Sequence, residues 1–243
     1  MGKFIIFGNK KLQYYNGILI KADLGLHEQI EKKLKELLST GSEILDVGAG
    51  EGALSERLSD AGFKVTALDI NEKDFKSKKS KFCQLNFNDE NELSNFSAQY
   101  TEKFDGVIGV EVIEHIENPW KYIDFMKRLI KPGGILLITT PNITSWLSRL
   151  IFLFEGRFHQ FADGDLSYGH IAPISSWELR VVLKNSGFEK VEILPGGTLP
   201  FLWLVKDKRL LFYNFVSLIF RPFMRNIKNG WVIICTAQKP INK

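Results

Sequence analysis

The chain has 243 residues, 44% of them apolar and 25% charged. That length and mixture suit one globular domain with a sizeable core and exclude a disordered or fibrous protein. A net charge of +4 is too mild for a dedicated nucleic-acid binder, which carries a stronger, clustered excess.

Two cysteines, Cys83 and Cys235, fall in apolar runs outside any Cys-x-x-Cys pair. They speak against a zinc site or a disulfide framework and fit a reducing cytosol. Residues 1–15 lack the apolar run and cleavage site of a signal peptide. The nearest thing to a membrane span, 210–220, is bracketed by Arg209 and Arg221 and reaches only about half the required length. The expectation is a cytoplasmic protein with room for peripheral contact with a membrane.

Leu26, Ile30, Leu34, Leu37 and Leu38 recur at helical spacing and predict an amphipathic helix that stops at Gly41. Strands and helices then alternate. A strand at 43–47 is followed by a helix at 51–61 and a strand at 64–69. A polar helix or loop at 71–79, a short strand at 81–85 and a helix at 90–100 come next. The strand 104–110, the helix 120–130, the closing Lys131-Pro-Gly-Gly134 and the strand 135–140 complete the series. Such alternation means βαβ units, hence an α/β fold with a parallel sheet covered on both faces.

The pattern breaks at 141–170, where an apolar helix at 145–154 precedes a loop at 155–168. It resumes with a helix at 175–186, opened by the capping-box pair Ser175 and Glu178, and a strand at 189–194. A second irregular stretch, 195–229, carries Lys206, Lys208, Arg209, Arg221, Arg225 and Lys228. The last strand is 231–237. The whole reads as a single domain, 1–243, with lid-like insertions at about 143–170 and 195–229.

The segment Leu45-Asp-Val-Gly-Ala-Gly-Glu-Gly52 runs a strand into a glycine-rich turn and a helix. Glycines let the backbone turn sharply and let a ligand lie against it. In open α/β sheets that ligand sits at the carboxyl ends of the strands, where Asp69, ending the next strand, can accept from both hydroxyls of a ribose. Gly48-x-Gly50-x-x-Ala53 also matches the dinucleotide pattern of an NAD-dependent oxidoreductase. Asp46 and Glu51 oppose that reading, because a pyrophosphate at the helix N-terminus would be repelled by carboxylates. A sulfonium and an ammonium suit them better, and S-adenosylmethionine carries both.

These segments resemble the motifs of class I S-adenosylmethionine-dependent methyltransferases. Leu45–Gly52 is similar to their first motif and Ala67-Leu-Asp-Ile70 to their second. Phe104-Asp-Gly-Val-Ile-Gly-Val-Glu-Val-Ile-Glu-His115 is similar to their fourth, and 129–142 to the segment that enters strand five. The resemblance covers roughly 41–193. It implies a Rossmann-like sheet of order 3-2-1-4-5-7-6 with the last strand antiparallel. It implies that Gly48 and Gly50 approach the methionine part of the cofactor, and Asp46, Ala49 and Glu111 are expected to line the cofactor pocket with them. Asp69 and Ile70 would take the ribose, and Asn86 with Phe87, or Asp89 in a shifted register, the adenine. A rival is a non-catalytic module that only holds the cofactor.

Glu111, Glu114 and His115 follow the fourth strand, and a helical turn there would put all three on one face. His170 opens the next regular segment. Two carboxylates and two imidazoles can bind a divalent metal. The set resembles that of small-RNA 2′-O-methyltransferases, which use a Glu-x-x-Glu-His motif and a distant histidine on magnesium, and of ubiquinone-pathway O-methyltransferases. Without a metal, His115 or His170 can act as general base, with Glu114 orienting His115.

No Asn-Pro-Pro-Tyr motif follows strand four, which favours an oxygen acceptor over a base amine. Trp146, Leu147, Leu150, Ile151, Leu153 and Phe154 make one apolar surface. Phe201, Leu202, Trp203, Leu204, Leu210, Leu211, Phe212, Phe215, Ile219, Phe220 and Phe223 make another, interleaved with basic residues. They form either core or a surface that rests on anionic lipid. The acceptor is then a small molecule, a glycan or a lipid-linked hydroxyl, and 148–193 resembles methyltransferases of surface-polysaccharide clusters. The sequence names neither the acceptor nor the oligomeric state.

Overall fold

A computed structural model describes residues 12–87, 89–167, 169–198, 211–212, 215–216, 218–219 and 229–241. The strands β1 (Gln13–Tyr15) and β2 (Ile18–Ile20) form an antiparallel hairpin. Its Asn16-Gly17 turn has φ of 47° and 80°, the left-handed pair that suits the twist of a two-residue hairpin. Ile18 and Ile20 bury themselves against Ala53. The helix α1 (Leu26–Leu37) follows.

The main sheet has seven strands: β3 (Glu43–Val47), β4 (Lys64–Asp69), β5 (Lys81–Gln84), β6 (Phe104–Val110), β7 (Ile130–Pro141), β8 (Glu189–Gly196) and β9 (Val232–Gln238). Its order is β5-β4-β3-β6-β7-β9-β8, which is the expected 3-2-1-4-5-7-6 once the hairpin is set aside. β9 runs antiparallel to both β7 and β8.

Successive side chains of a strand face opposite sides, so the central strands feed two cores. Leu45 and Val47 face α4 (Pro119–Leu129) and α7 (Ser176–Asn185), where Ile123, Met126, Leu179 and Val182 are buried. Ile44, Val65 and Ile108 face α1 and α2 (Ala53–Asp60), against Ile30, Leu34 and Leu58. The helix α3 (Glu90–Gln99) adds Phe96 to the first core.

Four local expectations change, the first being that β7 begins at Ile130, where it pairs with Phe104, so Lys131-Pro-Gly-Gly134 lies within the strand and not ahead of it. The helix predicted from Glu51 starts at Ala53, because Gly52 has φ 85° and lies too close to Phe75 for any side chain. The segment 71–79 holds a single 3-10 turn, Glu72–Asp74. It is shaped by tertiary contacts: the Glu56 carboxylate accepts from Ser77 Oγ at 2.7 Å and Lys78 N at 3.0 Å. The loop expected at 155–168 contains a short helix, α6 (Asp163–Leu166).

The helix α5 (Trp146–Glu155) divides the first apolar surface. Leu147 and Ile151 pack with Leu150 and Trp231, whereas Phe152, Leu153 and Phe154 stay exposed. Phe201, Leu202, Trp203, Leu204, Leu210, Phe220 and Phe223, with the basic residues of 195–229, lie outside the described residues. Leu211, Phe212, Phe215 and Ile219 are described and exposed. The Phe212 ring meets Phe154 edge-on at 6.1 Å, joining the two insertions. Among the described residues no helix is long and apolar enough to cross a membrane.

Candidate active site

The site lies at the carboxyl ends of β3, β4 and β6. Gly48 N and Ala49 N donate to the Leu68 carbonyl at 2.7 and 3.1 Å, which ties the glycine turn to β4. Gly48 and Gly50 have φ of 77° and 53°. A Cβ on Gly48 would sit 2.5 Å from Val112 Cγ2, but one on Gly50 would meet nothing within 4 Å. The turn is therefore packed against Val112, just past β6, on one side and open at Gly50.

Asp69 Oδ2 accepts from Gly50 N at 2.8 Å, so the expected ribose acid is already aimed at the glycine turn. Ile70, beside it, is 54% exposed. Asn86 follows β5, and its N–H donates to Glu92 Oε2 at 2.8 Å. The half-buried Phe87 ring packs edge-on against Tyr122 and Phe125, at 6.2 and 6.1 Å. Asp89 caps α3, accepting from Asn91 N and Glu92 N.

The carboxylates of the first motif are not a bare pair. Asp46 is 2% exposed and accepts from Ser55 Oγ at 2.6 Å. Burial is the chief reason its pKa is pushed up to about 6. Glu51 is paired with Lys21 at 3.1 Å and Lys76 at 2.5 Å. Two lysines neutralise it, so the repulsion of a pyrophosphate expected at Glu51 does not arise.

After β6 the chain turns sharply. Glu111 is left-handed, with φ 55°, and the 3-10 turn Ile113–His115 begins only after Val112. Glu111 therefore does not share a helical face with Glu114 and His115, contrary to the spacing argument. Its amide donates to Thr139 Oγ1 at 3.0 Å, and that hydroxyl donates to Glu111 Oε1 at 2.8 Å. Burial, with a contribution from Asp23, raises its pKa to about 7.

Glu114, His115 and His170 do come together, with one ligand atom from each within 4.8 Å of the others. The two imidazoles meet edge-on at 4.9 Å. The approach of His170 is set by backbone bonds, as Ile171 N and Ala172 N both donate to the Glu114 carbonyl at 3.0 and 2.9 Å. His170 Nδ1 lies 2.8 Å from the Gln160 carbonyl. A carbonyl only accepts, so Nδ1 carries the proton and Nε2 of the neutral ring keeps its lone pair. Glu114 is fully buried. Both its oxygens, Thr140 Oγ1 and the Tyr122 hydroxyl lack hydrogen-bond partners among the described residues. Burial, reinforced by the Glu111 carboxylate, raises the Glu114 carboxyl well above its usual range.

Thr139, Thr140, Tyr122, Gln160 and Lys21 were not anticipated as members of the site. Thr139 and Lys21 meet the site through Glu111 and Glu51, 28 and 30 residues away, and Thr140 and Tyr122 carry no local signature. Gln160 alone had a signal, its place in an irregular loop ahead of a histidine.

A family model described as "Methyltransferase domain" matches residues 23–193. The mitochondrial ubiquinone biosynthesis O-methyltransferase of Dictyostelium discoideum is 33% identical over 140 residues, covering 51% of this chain and 44% of that protein. The ubiquinone biosynthesis O-methyltransferase of Caulobacter vibrioides is 35% identical over 107 residues, covering 43% of this chain and 42% of that protein. The chain thus spans less than half the length of both. A S-adenosylmethionine-dependent methyltransferase structure from Archaeoglobus fulgidus superposes with a TM-score of 0.60 at 18% identity, covering 88% of this chain and 94% of that one. A phosphoethanolamine N-methyltransferase of Haemonchus contortus, in complex with S-adenosylmethionine, gives 0.57 at 17% identity, covering 91% of this chain and 54% of that one.

The sheet order and the glycine turn define a class I Rossmann-like fold. The chain belongs to the methyltransferase family, in its S-adenosylmethionine-dependent class.

Proposed function

We propose that the chain transfers the methyl group of S-adenosylmethionine to a hydroxyl oxygen of a small-molecule, glycan or lipid-linked acceptor. The observation that carries this reading is His170, held by the Gln160 carbonyl with a basic Nε2 beside His115 and Glu114. The solved structures it superposes on include an N-methyltransferase, so the fold leaves the acceptor atom to the site. A neutral imidazole suits an alcohol, whose proton must leave as the new bond forms.

The residues fit the cofactor. Gly50 is open where a ligand would approach, the bond from Gly50 N to Asp69 Oδ2 supports Asp69 as the ribose acid, and Ile70 offers an exposed apolar side chain beside it. Asn86 and Phe87 stand at the end of the neighbouring strand for the adenine. The cofactor supplies a methyl carbon already activated by a sulfonium. The protein's part is alignment and removal of a proton. His170 Nε2 takes the acceptor's hydroxyl proton, and the Gln160 bond keeps the ring in place while it does so.

A second reading rests on Glu114. A buried carboxyl grouped with two imidazoles fits a divalent cation. Glu114, His115 and His170 would hold it, and it would lower the pKa of the acceptor hydroxyl. Glu111 stands outside that group of three.

Phe152, Leu153 and Phe154 are exposed, Phe154 meets Phe212, and the stretch 195–229 that holds Phe212 carries six basic residues against Asp207 alone in its sequence. That combination supports peripheral contact with an anionic membrane and delivery of a lipid-linked acceptor. Flotation with phosphatidylglycerol vesicles but not phosphatidylcholine vesicles is expected; failure to float with either removes the membrane from the picture.

The functional test is release of S-adenosylhomocysteine from S-adenosylmethionine with a panel of catechols, glycans and amines. Turnover of hydroxyl acceptors is expected, with His170→Gln slower by about a hundredfold to ten-thousandfold. Turnover of amines alone would overturn the oxygen assignment. Turnover unaffected by a chelator would remove the metal.

A further inference from the structure

The amino ends of the strands, opposite the candidate active site, border a cavity of about 500 Å³. Glu43, Lys64, Lys81 and Phe104 on its wall are the first residues of β3, β4, β5 and β6. β4 runs from Lys64 here to Asp69 at the active site, so about 16 Å of strand separate the two places. The volume is that of a small-molecule site.

Four lysines line the cavity, Lys64, Lys79, Lys81 and Lys103, against one carboxylate, Glu43. That carboxylate is already shared, with Lys103 at 2.8 Å and Lys131 at 3.7 Å. Lys79 pairs with Asp60. Lys64 and Lys81 form no ion pair among the described residues, and Lys81 donates to the Tyr100 hydroxyl at 3.3 Å.

Strand register keeps these two lysines together. Lys81 is the β5 partner of Thr66, which stands two residues after Lys64 on β4. Paired residues and residues two apart share a face of the sheet, so Lys64, Thr66 and Lys81 project from one face. Two ammonium groups held there without a counter-ion repel each other, and an anion between them removes that cost. The Tyr100 ring is braced by Phe96 and Phe104, with centres at 4.5 and 6.0 Å. Its oxygen accepts from Lys81, which leaves the phenolic proton free to donate to a ligand.

We propose that this cavity binds a diphosphate anion, remote from methyl transfer. The ammonium groups of Lys64 and Lys81 and the Tyr100 hydroxyl donate to its phosphate oxygens. Two cations without counter-ions match two phosphates, whereas a singly charged anion leaves one of them unpaired. Inorganic pyrophosphate and a nucleoside diphosphate share this chemistry. The site stands whether or not the acceptor reading above holds.

The test is calorimetric titration of the full chain with pyrophosphate and, separately, with ADP, each with and without saturating S-adenosylhomocysteine. Binding is expected to persist when S-adenosylhomocysteine is present and to weaken as salt screens the lysines. Lys64→Gln and Lys81→Gln should each weaken it by about twofold to fivefold, and the double variant by about tenfold. Lys121→Gln, on α4, should leave it unchanged. Equal affinities for the two probes identify the diphosphate alone as the ligand, and tighter binding of ADP identifies the nucleotide. A wild-type chain that binds neither at millimolar concentration overturns the proposal. So does binding that survives the double variant, or displacement of both probes by S-adenosylhomocysteine, which would place them in the cofactor pocket.

Discussion

Asp46 and Asp69 stand at the carboxyl-end side of neighbouring strands and do different work. Asp46 is sealed in and bonded to Ser55, so it holds the start of α2 to β3. Asp69 reaches the open side of the glycine turn. Asp69→Ala is expected to weaken S-adenosylhomocysteine by about 1–3 kcal/mol in a calorimetric titration, and unchanged affinity would remove it from the ribose. Both aspartates were legible as acids in a motif. Which of them stays open beside the glycine turn was not, because burial depends on what α2 brings over Asp46. The same holds for Glu111. Its spacing to Glu114 and His115 suggested a shared face, but the residue scale was decided by Thr139, 28 positions away.

At the scale of elements, the glycine turn combines two constraints that substitutions can separate. Gly48→Ala would combine left-handed strain with overlap on Val112. It should destabilise the protein by about 2–5 kcal/mol in a denaturant titration. Gly50→Ala would meet no atom and should cost about 1–2 kcal/mol, yet it should weaken S-adenosylhomocysteine more than tenfold by crowding the open side. The reverse ordering would mean that the ligand lies elsewhere. The strands β3, β4 and β6 were legible to the residue, since apolar runs between glycine and lysine stops leave little choice of ends. Helix starts were less so. Glu51 looked helical until Gly52 and Phe75 fixed a turn there, and the hairpin of β1 and β2 gave only a short Asn-Gly signal.

For the whole molecule, buried titratable groups tie stability to pH. Asp46 has a folded-state pKa near 6, above about 3.9 for an unfolded aspartate. The fold therefore binds the proton more tightly than the unfolded chain. Its contribution is fully present below about pH 4 and is lost as pH rises through about 6. Relative to Asp46→Asn, the wild-type protein should lose up to about 3 kcal/mol between pH 4 and pH 7. Parallel stability curves would show that Asp46 ionises as freely when folded as when unfolded. His27 acts in the opposite sense, since burial lowers its pKa to about 3 and its contribution falls away as pH drops below about 6.5.

The alternation of apolar strands and amphipathic helices was enough by itself to determine the doubly covered parallel sheet, while its strand order followed from the resemblance of the glycine turn and Asp69 segments to class I methyltransferase motifs. Those features are local, and right-handed crossovers leave few ways to assemble them. Only the tertiary structure decided that Glu51 is neutralised by Lys21 and Lys76, that Gln160 fixes the tautomer of His170, and that Glu111 parts from Glu114 and His115. Each of these depends on a contact between residues distant in sequence. No periodicity encodes such contacts, because they form only when the sheet has closed and brought the ends of its strands together.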